Sequence, residues 1–369
     1  MSFLTSEKPP LALAFLCAAS LATAQVDTFH ARLGHLVDAY HLPGLSAAVL
    51  HGDSVVYAEG FGYADRERRT PATPHTNYYI ASLTKPLAAT ALLQLVGEGR
   101  LRLDDSVKAI VPGYEDYYRE VSGYILANAP QYASLVEDFD FERDDLTVRH
   151  HLTHTAEGIP GTGFKYNGFL FGALARVMEV IEDRDFADIL RARVLAPAGM
   201  TRTLASRADS SLPEAHSVLA LPYGYEGATG EFTRAPDPDP GVNAGAGVLS
   251  NVLDLLAFDR AIDGDALLPP ALRDNSRVAQ RNEAGEALPY GLGWFVQEGA
   301  DGRRLLWHYG WEPGAYSALY LKLPDSGLTL VLLANGENLT APFTEEGYRT
   351  DVTASAFARL FLDTFGAAP

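Results

Sequence analysis

Strand-like sequence occupies both ends of this chain and helix-like sequence fills the middle, and no other feature constrains the fold as strongly. LSAAVLHGDSVVYAEGFG at 45–62 holds two apolar runs around His51-Gly52-Asp53-Ser54, the pattern of a β-hairpin. AYSALYLKLPDSGLTLVLLANG at 315–336 repeats the form around Pro324-Asp325-Ser326-Gly327, and RRLLWHYG at 303–310 reads as a strand just ahead of it. TDVTASAFARLFLDTFG at 350–366 places Val352, Phe357, Leu360 and Phe361 on one helical face, with Thr350 or Asp351 as the cap. The ends are therefore expected to build one α+β unit around an antiparallel sheet (25–80 and about 250–369). Residues 82 to about 240 are expected as a helical domain inserted into it, including helices over 168–181 and 185–195. A cleft between the two parts is the default place for a ligand. Within the helical part, 113–145 is an acidic, tyrosine-rich insert, readable as a solvated helical surface or as a lid.

The first residues read as an export signal. Lys8 precedes the apolar run Leu11 to Ala22, and Ala22-Thr23-Ala24 supplies the small residues of a cleavage site, with the cut expected after Ala24. The run is too short to span a bilayer. Cys17, the one cysteine of the chain, falls inside this leader, so residues 25–369 contain no thiol nucleophile, disulfide or cysteine metal ligand. Leu16 stands where a lipid-anchoring signal wants a small residue, so no membrane anchor is expected. The net charge of −18 argues against nucleic acid or an anionic membrane as partner.

YYIASLTKPLAATALLQLVGEG at 78–99 is the stretch most suggestive of chemistry. From Leu87 it is apolar nearly all round, as a buried helix is, yet Ser82 and Lys85 stand at its front. Residues three apart share a helical face. Burial drives a lysine toward its neutral form, able to take a proton from the hydroxyl beside it. The plain alternative is a capping serine with a lysine reaching out to solvent. Two later stretches add candidates. IPGTGFKYNGFLFGALARVME at 159–179 puts Tyr166 in a loop feeding an apolar helix, where it is either a general base or a packed tyrosine. WHYGWEPGAYSALYL at 307–321 puts His308 and Gly310 at a strand end; glycine there lets backbone approach a substrate, and the next amide can serve an oxyanion hole. The alternative for His308 is a strand histidine bonded to backbone.

The ordered set SLTK, LTHT, PGTGFKY, YGLGW and HYGWEPGAYSALYLKLPDSGLTLVLLANG resembles the serine β-lactamase and penicillin-binding-protein superfamily, in the branch of class C β-lactamases, DD-peptidases and related esterases. The resemblance runs from about Leu42 to the final helix. It implies the β-lactamase/transpeptidase sandwich: an antiparallel sheet flanked by helices, with the active site beside an inserted helical domain. It implies Ser82 as the acylated nucleophile, Lys85 as its lysine partner and Tyr166 as the tyrosine of the family's Y-x-N motif. His308-Tyr309-Gly310 takes the place of the K-T-G strand, and the backbone amides of Ser82 and Trp311 form the oxyanion hole. Asn167, Gly168, Tyr309 and Gly310 are then expected against substrate. Two departures stand out. The third position of Y-x-N is Gly168, with Asn167 one place early, and histidine replaces lysine in the strand motif. In the family that asparagine helps to hold the substrate's amide, and a lysine offers a fixed cation to a substrate carboxylate. Both changes lean away from penicillin chemistry.

Other chemistry finds little support. His150, His151 and His154 cluster in RHHLTHTAEG, but without H-E-x-x-H, and no metal site is expected. No G-x-S-x-G elbow, dinucleotide fingerprint or phosphate loop occurs, so no cofactor is expected. The expected function is a periplasmic or secreted serine hydrolase acting on a small-molecule ester, amide or peptide through an acyl-enzyme on Ser82, with Lys85 and Tyr166 taking the serine proton and the leaving group taking its proton from Tyr166 or through His308. Ester or small-amide hydrolysis ranks first, DD-peptidase second and β-lactamase third; the rival from another class is a non-catalytic penicillin-binding or cell-wall sensor. The oligomeric state is left open.

Overall fold

The computed structural model describes residues 11–128, 130–137, 139–344 and 350–366. Three N-terminal strands, β1 (Gly44–His51), β2 (Ser54–Asp65) and β3 (Thr70–Pro71), join four C-terminal strands, β4 (Phe295–Glu298), β5 (Arg304–Glu312), β6 (Tyr316–Leu323) and β7 (Leu328–Ala334). They form one sheet in the order β3-β2-β1-β7-β6-β5-β4, and each pairing is antiparallel. The seam is β1 against β7, in register from Leu45 opposite Ala334 to His51 opposite Leu328. The two ends of the chain thus share one sheet. Both seam strands are buried along their length, apart from His51, which explains why their sequences are continuous apolar runs rather than alternating ones. The turn at 52–53 closes the first hairpin with Gly52 at φ +57°, a conformation that costs a side chain but not glycine.

Helix α1 (Leu11–Ala39) packs on the sheet and on the last helix through Phe29, whose ring lies 5.1 Å from that of Tyr57 and 5.0 Å from that of Phe365. It runs without a break through Ala24, the expected cleavage point; the first ten residues of the expected leader lie outside the described residues. Among the described residues no helix is long and apolar enough to cross a membrane.

Helix α2 (Thr84–Gly97) is buried from Thr84 to Leu93 and again at Leu95. Each leucine it hides contributes about 1.5–3 kcal/mol, enough to fix its front end firmly. The rest of the middle is helical in the main, with α3 (Tyr114–Asn128), α4 (Val148–Leu152), α5 (Gly168–Gly172) and α6 (Leu174–Glu182). It also holds short strand pairs, Tyr223–Glu226 with Glu231–Arg234 and Tyr78–Tyr79 with Leu249–Ser250. The insert at 113–145 consists of α3 and a 3-10 turn over Pro130–Leu135, followed by coil.

Helix α7 (Val252–Asp263), capped by Asn251, is tied to the sheet by Lys322 of β6. The Lys322 ammonium lies 2.9 Å from Asp259 and 2.6 Å from Asp263. The final helix α8 (Ala356–Phe365) starts later than expected: Ser355 caps it, while Asp351 caps a separate 3-10 turn over Val352–Ala354. Two consecutive capping signals fit one apolar face, and periodicity alone does not say which begins the helix.

Candidate active site

Ser82 sits in a 3-10 turn, Ala81–Leu83, that leads directly into α2. Leu83, not Ser82, occupies the N-cap of α2, so the serine side chain caps nothing. Ala81 is held at φ +46°, the left-handed region where a side chain is strained by about 1 kcal/mol. That strain turns Ser82 to face a cleft of 700 Å³. Lys85, one helical turn on, is fully buried, and its Nζ lies 2.8 Å from Ser82 Oγ and 2.9 Å from the Gly245 carbonyl, to which it donates. Burial without a carboxylate partner lowers its pKa to about 7. The alternative of a solvent-reaching lysine is therefore excluded. Near pH 7 a large fraction of Lys85 is neutral while its Nζ stays within hydrogen-bond reach of the serine hydroxyl.

Tyr166 lines the same cleft, with Lys85 Nζ 4.9 Å from its ring centroid. Its ring is held in a stack, 4.3 Å from the His154 ring and 5.8 Å from Phe295. Trp311, Tyr309 and Gly168 also line the cleft, so Ser82, Lys85, Tyr166, Gly168, Tyr309 and Trp311 are brought together as expected.

Three expected residues are placed differently. Asn167 does not line the cleft: it caps α5, its Oδ1 accepting from the N–H of Phe169 and Leu170, while Nδ2 donates to the Leu135 carbonyl and to Glu157. Its capping chemistry uses the same amide that substrate binding would need. Gly310 does not line the cleft; a Cβ there would lie 2.1 Å from the Ile80 carbonyl, so the glycine serves the protein's own close packing. His308 is buried in the middle of β5 rather than exposed at its end, and it does not line the cleft. Its Nδ1 faces the Tyr309 carbonyl at 2.8 Å and so carries the proton; Nε2 then accepts from the Tyr290 hydroxyl at 2.9 Å. Burial, and then the nearby Lys85 charge, hold it well below the usual histidine range, so it is a neutral buried ring and no substitute for a cationic lysine.

The clustered histidines diverge. His151 bonds to Tyr114 and the Thr147 carbonyl, His150 accepts from the Thr147 N–H, and His154 accepts from the N–H of Asn167. Among the described residues no group of three or more His, Cys, Asp or Glu side chains is gathered for a metal.

The walls of the cleft come from sequence that carried no recognisable signal. The insert supplies Tyr117, Val121, Tyr124, Ile125 and Tyr132, so it is a wall of the site as well as an outer surface. The loop at 243–246 supplies Asn243, Gly245 and Ala246. Glu312 closes one end; burial, and then the nearby Asp239, raise its pKa to about 7.

An antiparallel sheet flanked by helices, with a Ser-x-x-Lys pair at a helix mouth and a tyrosine on the same cleft wall, is the architecture of the β-lactamase/transpeptidase fold class. The family model described as Beta-lactamase matches residues 29–355, and the chain belongs to that family. It is 26% identical over 311 residues to penicillin-binding protein 4* of Bacillus subtilis, covering 78% of this chain and 67% of that protein. It is 28% identical over 288 residues to a D-aminopeptidase of Gluconobacter oxydans, covering 72% of this chain and 52% of that one. This chain thus spans about half to two thirds of the length of these relatives. The solved octameric penicillin-binding protein homologue from Pyrococcus abyssi superposes with a TM-score of 0.69 at 23% identity, over 85% of this chain and 74% of that one.

Proposed function

We propose that the chain is an exported serine hydrolase that cleaves ester or small-amide bonds through an acyl-enzyme on Ser82. The observation that carries this reading is the buried Lys85 side-chain nitrogen 2.8 Å from Ser82 Oγ, with a pKa of about 7 and, among the described residues, no carboxylate beside it. Neutral Lys85 accepts the serine proton as Ser82 Oγ attacks the substrate carbonyl. Tyr166, close to the lysine, shares in moving that proton to the leaving group. The backbone amides of Ser82 and Trp311, both on the cleft wall, stabilise the developing oxyanion. The leaving group departs with a proton, and water then releases the acyl group by the reverse route, freeing Ser82. His308 takes no proton in this scheme, since both its ring nitrogens are bonded and it lies outside the cleft. The neutral strand histidine and the absence of a side chain at Gly168 favour uncharged ester or small-amide substrates over penicillins and D-alanyl-D-alanine peptides.

The test is a panel of a nitrophenyl ester, a D-alanyl-D-alanine peptide and nitrocefin, run on the wild type and on Ser82→Ala. The ester is expected to be turned over fastest, with activity lost in the variant. Nitrocefin fastest by orders of magnitude would overturn the substrate ranking, and unchanged ester turnover in Ser82→Ala would overturn the acyl-enzyme itself.

A further inference from the structure

One residue outside the cleft holds the chain on both sides of Tyr166 and packs on the tyrosine ring as well. The His154 carbonyl accepts from the N–H of Lys165 at 2.9 Å. Its Nδ1 accepts from the N–H of Asn167 at 3.1 Å. Its ring lies 4.3 Å from the Tyr166 ring, 30° from parallel. That ring is itself boxed in: Phe171 lies 5.3 Å away at 31°, while Phe164 and Tyr290 stand across it at 84° and 74°. Lys85 Nζ lies 5.6 Å from the Phe171 ring centroid, so the box adjoins the Ser82–Lys85 pair.

Histidine is an unfavourable residue for this place in the backbone. Position 154 follows Thr153, the C-cap of α4, and takes φ +57°, the left-handed conformation that ends helices and favours glycine or asparagine. The side chain is buried. Because Nδ1 accepts, Nε2 carries the proton, and that buried N–H has no hydrogen-bond partner among the described residues. Burial, and then the nearby Lys85 charge, hold the ring well below the usual histidine range, so Nδ1 stays an acceptor. A left-handed side chain and an unpaired buried donor both count against the fold. Glycine would relieve both. It would also remove the acceptor and the ring that hold residues 165–167.

We propose that His154 is a positioning residue for Tyr166, its Nδ1 acceptor and its ring together holding the tyrosine where it passes a proton to the leaving group. His154 does not line the cleft and acts only through Tyr166. The proposal rests on the acyl-enzyme reading of Ser82 and on the proton-moving role given there to Tyr166. The N–H groups held by His154 lie immediately before and after Tyr166, so the backbone cannot turn at residue 166 without breaking one of them. The stack limits the remaining freedom, that of the ring. Asn167 then carries the constraint onward, because it also caps α5. Proton transfer is sensitive to such placement: a shift of about 1 Å in a reacting group costs on the order of 10² in rate.

The experiment compares ethyl butyrate with nitrophenyl butyrate, which share an acyl group and differ in the leaving group. Nitrophenolate departs without a proton, whereas the ethyl alcohol must receive one. His154→Phe keeps a ring in the stack and loses the acceptor. His154→Gly relieves the backbone and loses both. His154→Asn loses the ring but puts Oδ1 where Nδ1 stood, on a residue that tolerates positive φ. In the Phe and Gly variants kcat/KM for ethyl butyrate is expected to fall by about 10², against less than about tenfold for nitrophenyl butyrate. His154→Asn is expected to recover most of the ethyl ester activity. The ratio of the two esters on one preparation does not depend on how much of it is folded. Equal losses on both esters, no loss on either, or an Asn variant no better than the other two would overturn this proposal while leaving the acyl-enzyme intact. Wild-type turnover of the nitrophenyl ester alone would take proton delivery away from Tyr166 and overturn it as well. A wild-type protein inert to both esters and unlabelled at Ser82 by a fluorophosphonate would overturn the acyl-enzyme reading, and this proposal with it.

Discussion

Gly310 and Ile80 touch backbone to backbone: a Cβ on Gly310 would stand 2.1 Å from the Ile80 carbonyl oxygen. This contact sets β5 against the turn that carries Ser82, and so fixes the distance between the two amides assigned to the oxyanion. Gly310→Ala must push strand and turn apart, because neither contacting atom belongs to a flexible side chain. The expected result is a fall in kcat of about 10²–10³, the effect of losing one oxyanion donor, with KM changed little. Steady-state kinetics on a folded variant, checked by circular dichroism, measures it.

Lys85 predicts the acid limb of the pH–rate profile. Its pKa is lowered to about 7 by burial, and only the neutral form accepts the serine proton. Activity is therefore present above pH 7 and falls about tenfold per unit below it. Burial holds the His308 ring well below the usual histidine range, so His308→Gln is expected to leave the midpoint of this limb in place. A midpoint that moves by a unit or more in His308→Gln would assign the ionisation to the histidine instead.

The same burial costs stability, in a pH-dependent way. The folded-state pKa of Lys85 is below its unfolded value, so between about pH 7 and 10 the unfolded chain binds a proton that the folded chain does not. Stability from this group therefore rises with pH across that window, and the penalty is complete below pH 7. Lys85→Met is expected to be inactive and more stable than the wild type by on the order of 2 kcal/mol at pH 7, with the gap closing toward pH 10. Urea unfolding at pH 7 and pH 9.5 checks it; a gap that widens with pH would contradict the assignment.

Asn167 is predicted to matter for stability rather than for substrate choice. Asn167→Ala leaves two N–H groups of α5 without their cap and removes the amide from Leu135 and Glu157, costing about 2 kcal/mol of stability. The ratio of kcat/KM between amide-bearing and plain esters is expected to stay unchanged. Chemical denaturation, with kcat/KM for an amide-bearing and a plain nitrophenyl ester measured on the folded variant, checks it.

These contrasts show where the sequence was legible. The two hairpins could be read because alternating turns and apolar runs are local signals, and their shared sheet followed from their position at the chain ends. Ser82 and Lys85 could be read because the 3-10 turn runs directly into α2, so a spacing of three still brings the two side chains together. Asn167 was misread because capping and substrate binding ask for the same side chain, and only the path of the backbone decides between them. Gly310 was misread in the same sense: close approach was right, but the approaching group is Ile80. Gly245 and Asn243 left no trace, since their meaning lies in contact with Lys85 and α5 across more than 70 positions of chain. The left-handed turn at Ala81 was equally silent, because alanine does not announce a positive φ.

The central claim is that Ser82 becomes covalently acylated. Intact-protein mass spectrometry after exposure to a fluorophosphonate probe, followed by peptide mapping, tests it most directly. The account predicts one adduct per chain, on Ser82, absent in Ser82→Ala and formed more slowly below pH 7. A folded, unlabelled wild-type protein, or an adduct that persists on another residue in Ser82→Ala, would contradict it.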